Sequence, residues 1–329
     1  MNQVMFSLEE TVKKIKSGAN LIIAGDEKLL NQLPAGQWIG GTSVYFIGQN
    51  GGAFSQDKLL VDELPDYVKN VEIKEYDQRT LSSVFLEARD NGFSIIILPF
   101  ASEILYNFAM NGPNYPGFAT KPLIGWVSGV KLEDIGVKTP KVFNGKTGTA
   151  LDNKAVVLSA ELPANKVAEI DIVNIFEQND GDMVTFPTGG FHVRDVLVNG
   201  KLENFAEYLK KTSHDIKLPL VANYFGTKVN ISIQSIDEQK KEVSLYAPVF
   251  SNIAYKLAKP IENYVKEFMV HLPSTSGPQI VFSCNCILNY LYSELEGKKT
   301  GEITGPVTFG EIAYQLLNQT MVYLNILDV

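Results

Sequence analysis

The run Phe93-Ser94-Ile95-Ile96-Ile97-Leu98, set off by Asn91-Gly92, constrains the fold of this chain more than any other segment. It is too short for a buried helix and apolar on both alternating faces, so it reads as an inner strand covered on both sides. A second run, Leu21-Ile22-Ile23-Ala24-Gly25, has the same character and is closed by glycine. Strands of this kind need a layer of structure on each face, which predicts a layered α/β fold.

The segments around these runs supply the layers. Ser7 followed by Glu10 forms a capping box ahead of Val12 and Ile15, predicting a first helix that ends near Gly18. Residues 26–33 read as a helix stopped by Pro34, and a glycine turn then leads into the strand Val44-Tyr45-Phe46-Ile47. The alternation recurs: Val71 to Tyr76 reads as a strand, Leu81 to Arg89 has helical spacing, and Ser102 to Met110 is helical again. Gly and Pro dominate residues 111–118, predicting an ordered loop able to cover a pocket. Residues 141–146 read as a hairpin, and strands dominate from Ala155 to Val198, closed by Asn199-Gly200. Helix–strand alternation restarts at Glu203. The reading is therefore two domains, 1–200 and 201–329, of the α/β (α+β) class, with mixed, largely antiparallel sheets flanked by helices.

Composition excludes several alternatives. With 329 residues, 45% hydrophobic and 20% charged, the chain is neither disordered, collagenous nor coiled coil, and each domain can bury a core without staples. The net charge of -8 is opposite in sign to a nucleic-acid-binding face, so no nucleic-acid partner is expected. Arginine appears only as Arg79, Arg89 and Arg194. The two cysteines, Cys284 and Cys286, cannot build a multi-loop disulfide framework, which favours a reducing compartment. The first residues lack a basic segment followed by an apolar one, and apolar runs fall well short of ~20 residues. The expectation is a cytoplasmic protein without a membrane span.

Chemical motifs are sparse. Gly145-Lys146-Thr147 matches the end of a P-loop, but Pro140 stands where that loop needs glycine, and no Gly-x-Gly-x-x-Gly follows a strand. His192, His214 and His271 lack the spacing that puts two imidazoles on one helix face, so neither a metal nor another cofactor is expected. Cys284-x-Cys286 at a strand-to-helix junction admits two readings: small buried hydrophobes, or a nucleophile whose thiol is acidified by a helix N-terminus. Paired acids such as Glu294 and Glu296 have no setting that marks one as acid and the other as base.

Phe282-Ser283-Cys284, the acidic Glu294 and Glu296 after the following helix, Thr304-Gly305-Pro306-Val307-Thr308-Phe309-Gly310-Glu311-Ile312-Ala313 and Asn318-Gln319-Thr320 together form a further pattern. It resembles the C-terminal domain of FIST (F-box and intracellular signal transduction) sensory proteins, in order and in spacing. The first half is similar to the FIST N-terminal domain, with Ile39-Gly40-Gly41-Thr42-Ser43 at the position of that family's Gly-Cys-Ser-Thr turn. One difference is that Cys286-Ile287-Leu288 stand where the family often carries an arginine. The resemblance implies an intracellular sensor that binds a small molecule, an amino acid or related metabolite, without catalysis, and that acts through a separate signalling partner. It places Cys284, Thr308, Gly310, Glu311 and Asn318 nearest the ligand, in a pocket between the domains or under the 111–118 loop. The alternative is a cysteine-dependent hydrolase or transferase using Cys284 or Cys286.

Overall fold

The computed structural model describes residues 4–224, 226–251, 253–272, 279–299 and 301–329. Gly92–Pro99 forms the expected inner strand, buried along its whole length, with Ile95, Ile96, Ile97 and Leu98 at 0% exposure. Leu123–Ser128 pairs with it in parallel and Ala155–Glu161 antiparallel. The other apolar run forms the strand Leu21–Gly25, parallel to Trp38–Thr42 and antiparallel to Leu59–Glu63.

Side chains alternate between the two faces of this second sheet, and each face has its own cover. Leu21, Ile23, Leu59 and Val61 pack with Ile15, Leu30 and Trp38 beneath the first two helices. The first helix, Leu8–Lys16, starts as its sequence dictates: Ser7 N–H donates to Glu10 Oε2 at 2.8 Å and Glu10 N–H to Ser7 Oγ at 3.3 Å. On the opposite face, a Cβ added to Gly41 would meet Ile97 and Trp126, so the sheet of Gly92–Pro99 lies against it. A third sheet contains Met321–Asp328, Gln279–Cys286, Gly305–Thr308 and Tyr45–Gly48 in that order. Phe282 in it stacks on Trp126, ring centroids 5.4 Å apart. The architecture is mixed α/β of the α+β kind, several mixed sheets flanked by helices.

The segment 81–89 differs from its predicted form. Only Leu81–Ser83 is helical, as a 3-10 turn, although Leu81, Val84, Phe85 and Ala88 bury the face their spacing prescribes. The Ser83 hydroxyl donates to Thr80 O at 2.8 Å, a side-chain bond that competes with a regular helical ladder. Helical periodicity here buries a face without an α-helix.

Two compact units are present, but no single cut near residue 200 separates them. One comprises Met1–Ile172, Leu272–Leu316 and Met321–Val329; the other comprises Val173–His271 and Leu317–Thr320. The reason is long-range strand pairing. Gly305–Thr308 pairs with Tyr45–Gly48, and Glu311–Ala313 with Leu123–Ser128, so these late strands belong with the early ones. In the second unit, antiparallel strands surround Phe186, whose ring meets Phe205 at 5.2 Å and Tyr255 at 5.6 Å.

Close packing of the inner strands gives a direct test. A Cβ at Gly125 would lie 1.8 Å from Ile96 O, where nothing flexible can give way. Gly125→Ala should destabilise the chain by about 3 kcal/mol, at the upper end of ordinary overpacking costs. Gly148→Ala, in open space, should cost less in the same denaturation assay even though its φ of +66° disfavours alanine.

Candidate functional site

Four of the five residues singled out by sequence come together inside the first unit. Cys284 donates from Sγ to Gly125 O at 3.3 Å. The Thr308 hydroxyl donates to Asn285 O at 3.3 Å and to Gly310 O at 3.1 Å. Gly310 O accepts from Val127 N–H at 2.8 Å, and Glu311 sits opposite Trp126 in the adjoining strand. Thr308 and Glu311 are both at 0% exposure. Asn318 belongs to the second unit, where its Oδ1 accepts from Ser232 N–H at 2.9 Å and its carbonyl from Asn230 Nδ2 at 3.2 Å. All five are built into hydrogen-bonded interior structure, and none lines either of the two hollows described below.

The cysteines occupy a setting that suppresses reactivity. Cys284 and Cys286 are both 1% exposed and outside any disulfide. Burial pushes the Cys284 thiol well above its usual range, reinforced by the Glu311 carboxylate and the neighbouring Cys286. A nucleophile requires the opposite, an accessible and acidified thiol.

The larger hollow lies elsewhere in the first unit, with a volume of about 490 Å³. That is within the size range of small-molecule sites. Its walls are residues 4 and 6 at the start of the chain, Lys14 from the first helix, residues 61–63 and 65, residues 280–283 of the Gln279–Cys286 strand, and residues 302–304. The 111–118 loop takes no part in it. A second hollow of about 80 Å³, near Gly25 and Thr42, is too small for a metabolite.

Polar and charged side chains are prominent in the larger cavity: Lys14, Asp62, Glu63, Ser283, Glu302 and Thr304. Lys14 Nζ lies 2.6 Å from Glu63 Oε2 and 5.0 Å from the Phe6 ring centroid. The Ser283 hydroxyl donates to Thr304 O at 2.8 Å. Asp62 follows Val61 in the strand, so alternation turns it to the face opposite the helices. Its Oδ2 is sealed from solvent and has no hydrogen-bond partner among the described residues. Burial without a compensating partner pushes its carboxyl up to about 8. Asp62 is the functional candidate that sequence reasoning passed over. Its signal was available: Leu60 and Asp62 share a face, so an acid occupies a position where the strand's own period demands an apolar residue.

A model of a family of unknown function, DUF6976, matches residues 6–327. The chain belongs to DUF6976. No curated protein matches it. The DUF6976 match spans Asp62 and its cavity together with Cys284, Thr308, Gly310, Glu311 and Asn318. Among the described residues of this DUF6976 member, no helix is long and apolar enough to cross a membrane.

Two measurements test this geometry. In the unfolded chain Asp62 ionises near 3.8, whereas in the fold it keeps its proton up to about 8. The fold therefore binds more protons than the unfolded chain between those limits, and its stability falls as pH rises through them. Asp62→Asn, which cannot ionise, should raise the melting temperature relative to the parent by an amount that grows from pH 5 to pH 8 and then levels. For the thiols, alkylation by iodoacetamide at neutral pH should be negligible in the native protein and should appear only with unfolding.

Proposed function

We propose that this DUF6976 member is a small-molecule-binding sensory protein without catalysis, whose ligand occupies the cavity walled by residues 61–63 and 280–283. The observation that carries this reading is the cavity itself. It has metabolite dimensions, and its lining sets charged and polar groups, Lys14, Asp62, Glu63, Ser283 and Glu302 among them, beside apolar side chains that can hold a small organic body. The FIST resemblance supports a small-molecule ligand as such; the five residues it places nearest that ligand lie outside this cavity, and of its quoted motifs Phe282, Ser283 and Thr304 are in the wall. On that resemblance the ligand is an amino acid or a related small metabolite, and the response passes to a separate signalling partner. Two thiols outside any disulfide suit a reducing compartment, and we place the protein in the cytoplasm. The hydrolase or transferase alternative, through Cys284 or Cys286, has no comparable support, since both thiols are buried.

A thermal-shift screen with amino acids, small carboxylates, amines and nucleotides tests the reading. A ligand at ~100 times its dissociation constant adds ~2.7 kcal/mol to the folded state, a readable rise in melting temperature. Ile280→Trp, which fills the cavity from a half-buried position in its wall, should abolish that rise while leaving a cooperative unfolding transition. A screen in which no class produces a shift, or a shift that Ile280→Trp leaves intact, overturns it.

A further inference from the structure

The charges around the cavity are unbalanced. Asp62, Glu63 and Glu302 line it together with one basic side chain, Lys14. That lysine is already engaged, by Glu63 Oε2 at 2.6 Å and by the face of the Phe6 ring. An entering carboxylate or phosphate would find no uncommitted cation among the described lining residues and would meet acids instead.

Among the described residues that line the cavity, Asp62 has a buried side-chain oxygen left uncompensated. Its Oδ2 is buried without a hydrogen-bond partner among the described residues, a state that costs free energy in any folded protein. The Ser283 hydroxyl, having given its proton to Thr304 O, presents only acceptor lone pairs. Asp62 is half-buried as a residue and lines the cavity, and a carboxyl and an acceptor hydroxyl in one cavity are matched by a group that carries positive charge and donates hydrogen bonds. The wall also offers apolar side chains, Phe6, Val281 and Ile303 among them.

Resting on the reading of this cavity as the ligand site, we infer that it takes an organic cation: a primary ammonium or guanidinium on a small apolar body, without a carboxylate, its charged end at Asp62. Among metabolites related to amino acids, this selects the amines over the zwitterions. The titratable groups that share the cavity lining with Asp62 are Lys14 from the first helix, Glu63 from its own strand and Glu302, and the Cys284 thiol lies within electrostatic reach of it. Of these Lys14 is held by Glu63, and the thiol stays protonated, so the incoming cation is what draws the proton off Asp62. That proton passes to solvent as the carboxylate forms, and the bound state is an ammonium–carboxylate or guanidinium–carboxylate pair. Affinity therefore rises with pH as the carboxyl ionises and levels above about 8.

Isothermal calorimetry on the full chain tests this with probes of matched size: hexylammonium and agmatine as cations, hexanol as the neutral analogue, hexanoate as the anion and norleucine as the zwitterion. The expected result is that both cations bind at least tenfold tighter than hexanoate and norleucine. Their affinity should rise between pH 6 and pH 8, with a buffer-dependent heat at pH 7 that reports proton release. Asp62→Asn should weaken both cations at least tenfold and leave hexanol unchanged, and Ile280→Trp should abolish all binding. The wild-type pH profile tests the same point without any substitution. Hexanoate or norleucine binding as tightly as hexylammonium, or cations indifferent to pH and to Asp62→Asn, would overturn the cation assignment while leaving the cavity as a ligand site. Failure of the cations together with every class in the thermal-shift screen would remove both.

Discussion

The first unit is held together by strands that come from opposite ends of its sequence. Gly305–Thr308 closes against Tyr45–Gly48 on one side and runs parallel to the end of Gln279–Cys286 on the other. Glu311–Ala313 extends the sheet whose centre is Gly92–Pro99. Without these pairings the inner strands would keep unsatisfied edges, and buried backbone groups do not remain unpaired. The cavity depends on the same closure, since its walls combine residues 4–65 with residues 280–304.

This closure also explains the polar interior around Cys284. Where the late strands meet Leu123–Ser128, the Thr308 hydroxyl and the Cys284 thiol are spent on carbonyl oxygens of the same cluster. Motif residues of this sort read from sequence as ligand contacts or as a nucleophile. In the fold their visible work is to fix the junction between strands, while the adjacent positions Phe282 and Ser283 face the cavity.

Much of the local structure was legible because it is set by neighbours in the chain. The Ser7–Glu10 capping box, the Ser102 cap of Glu103–Asn111 and the inner strand at Phe93–Leu98 all follow from patterns a few residues long. Residues 81–89 kept their periodicity and lost their helix, since burial of one face does not by itself require a helical ladder. The division into units was not legible, because it depends on pairings more than two hundred residues apart, such as Gly305 with Ile47. Asp62 was hidden for a different reason. Its phase with Leu60 was the one available signal, but an acid late in an apolar strand ordinarily marks the strand's solvated end, and it is the approach of Gln279–Cys286 to Leu59–Glu63 that goes with the sealing of its Oδ2.

The insertion of Val173–His271 between segments of the first unit has a consequence for biosynthesis. The partner of Leu123–Ser128 lies at Glu311–Ala313, so on the ribosome this edge stays open through the making of Val173–His271. At ~5–20 residues per second, that is on the order of ten to forty seconds during which a long apolar edge can pair with the wrong strand. The inserted unit has most of its residues early, so nearly all of it emerges before the first unit can close. Synonymous codons that slow translation before residue 311 would lengthen that exposure.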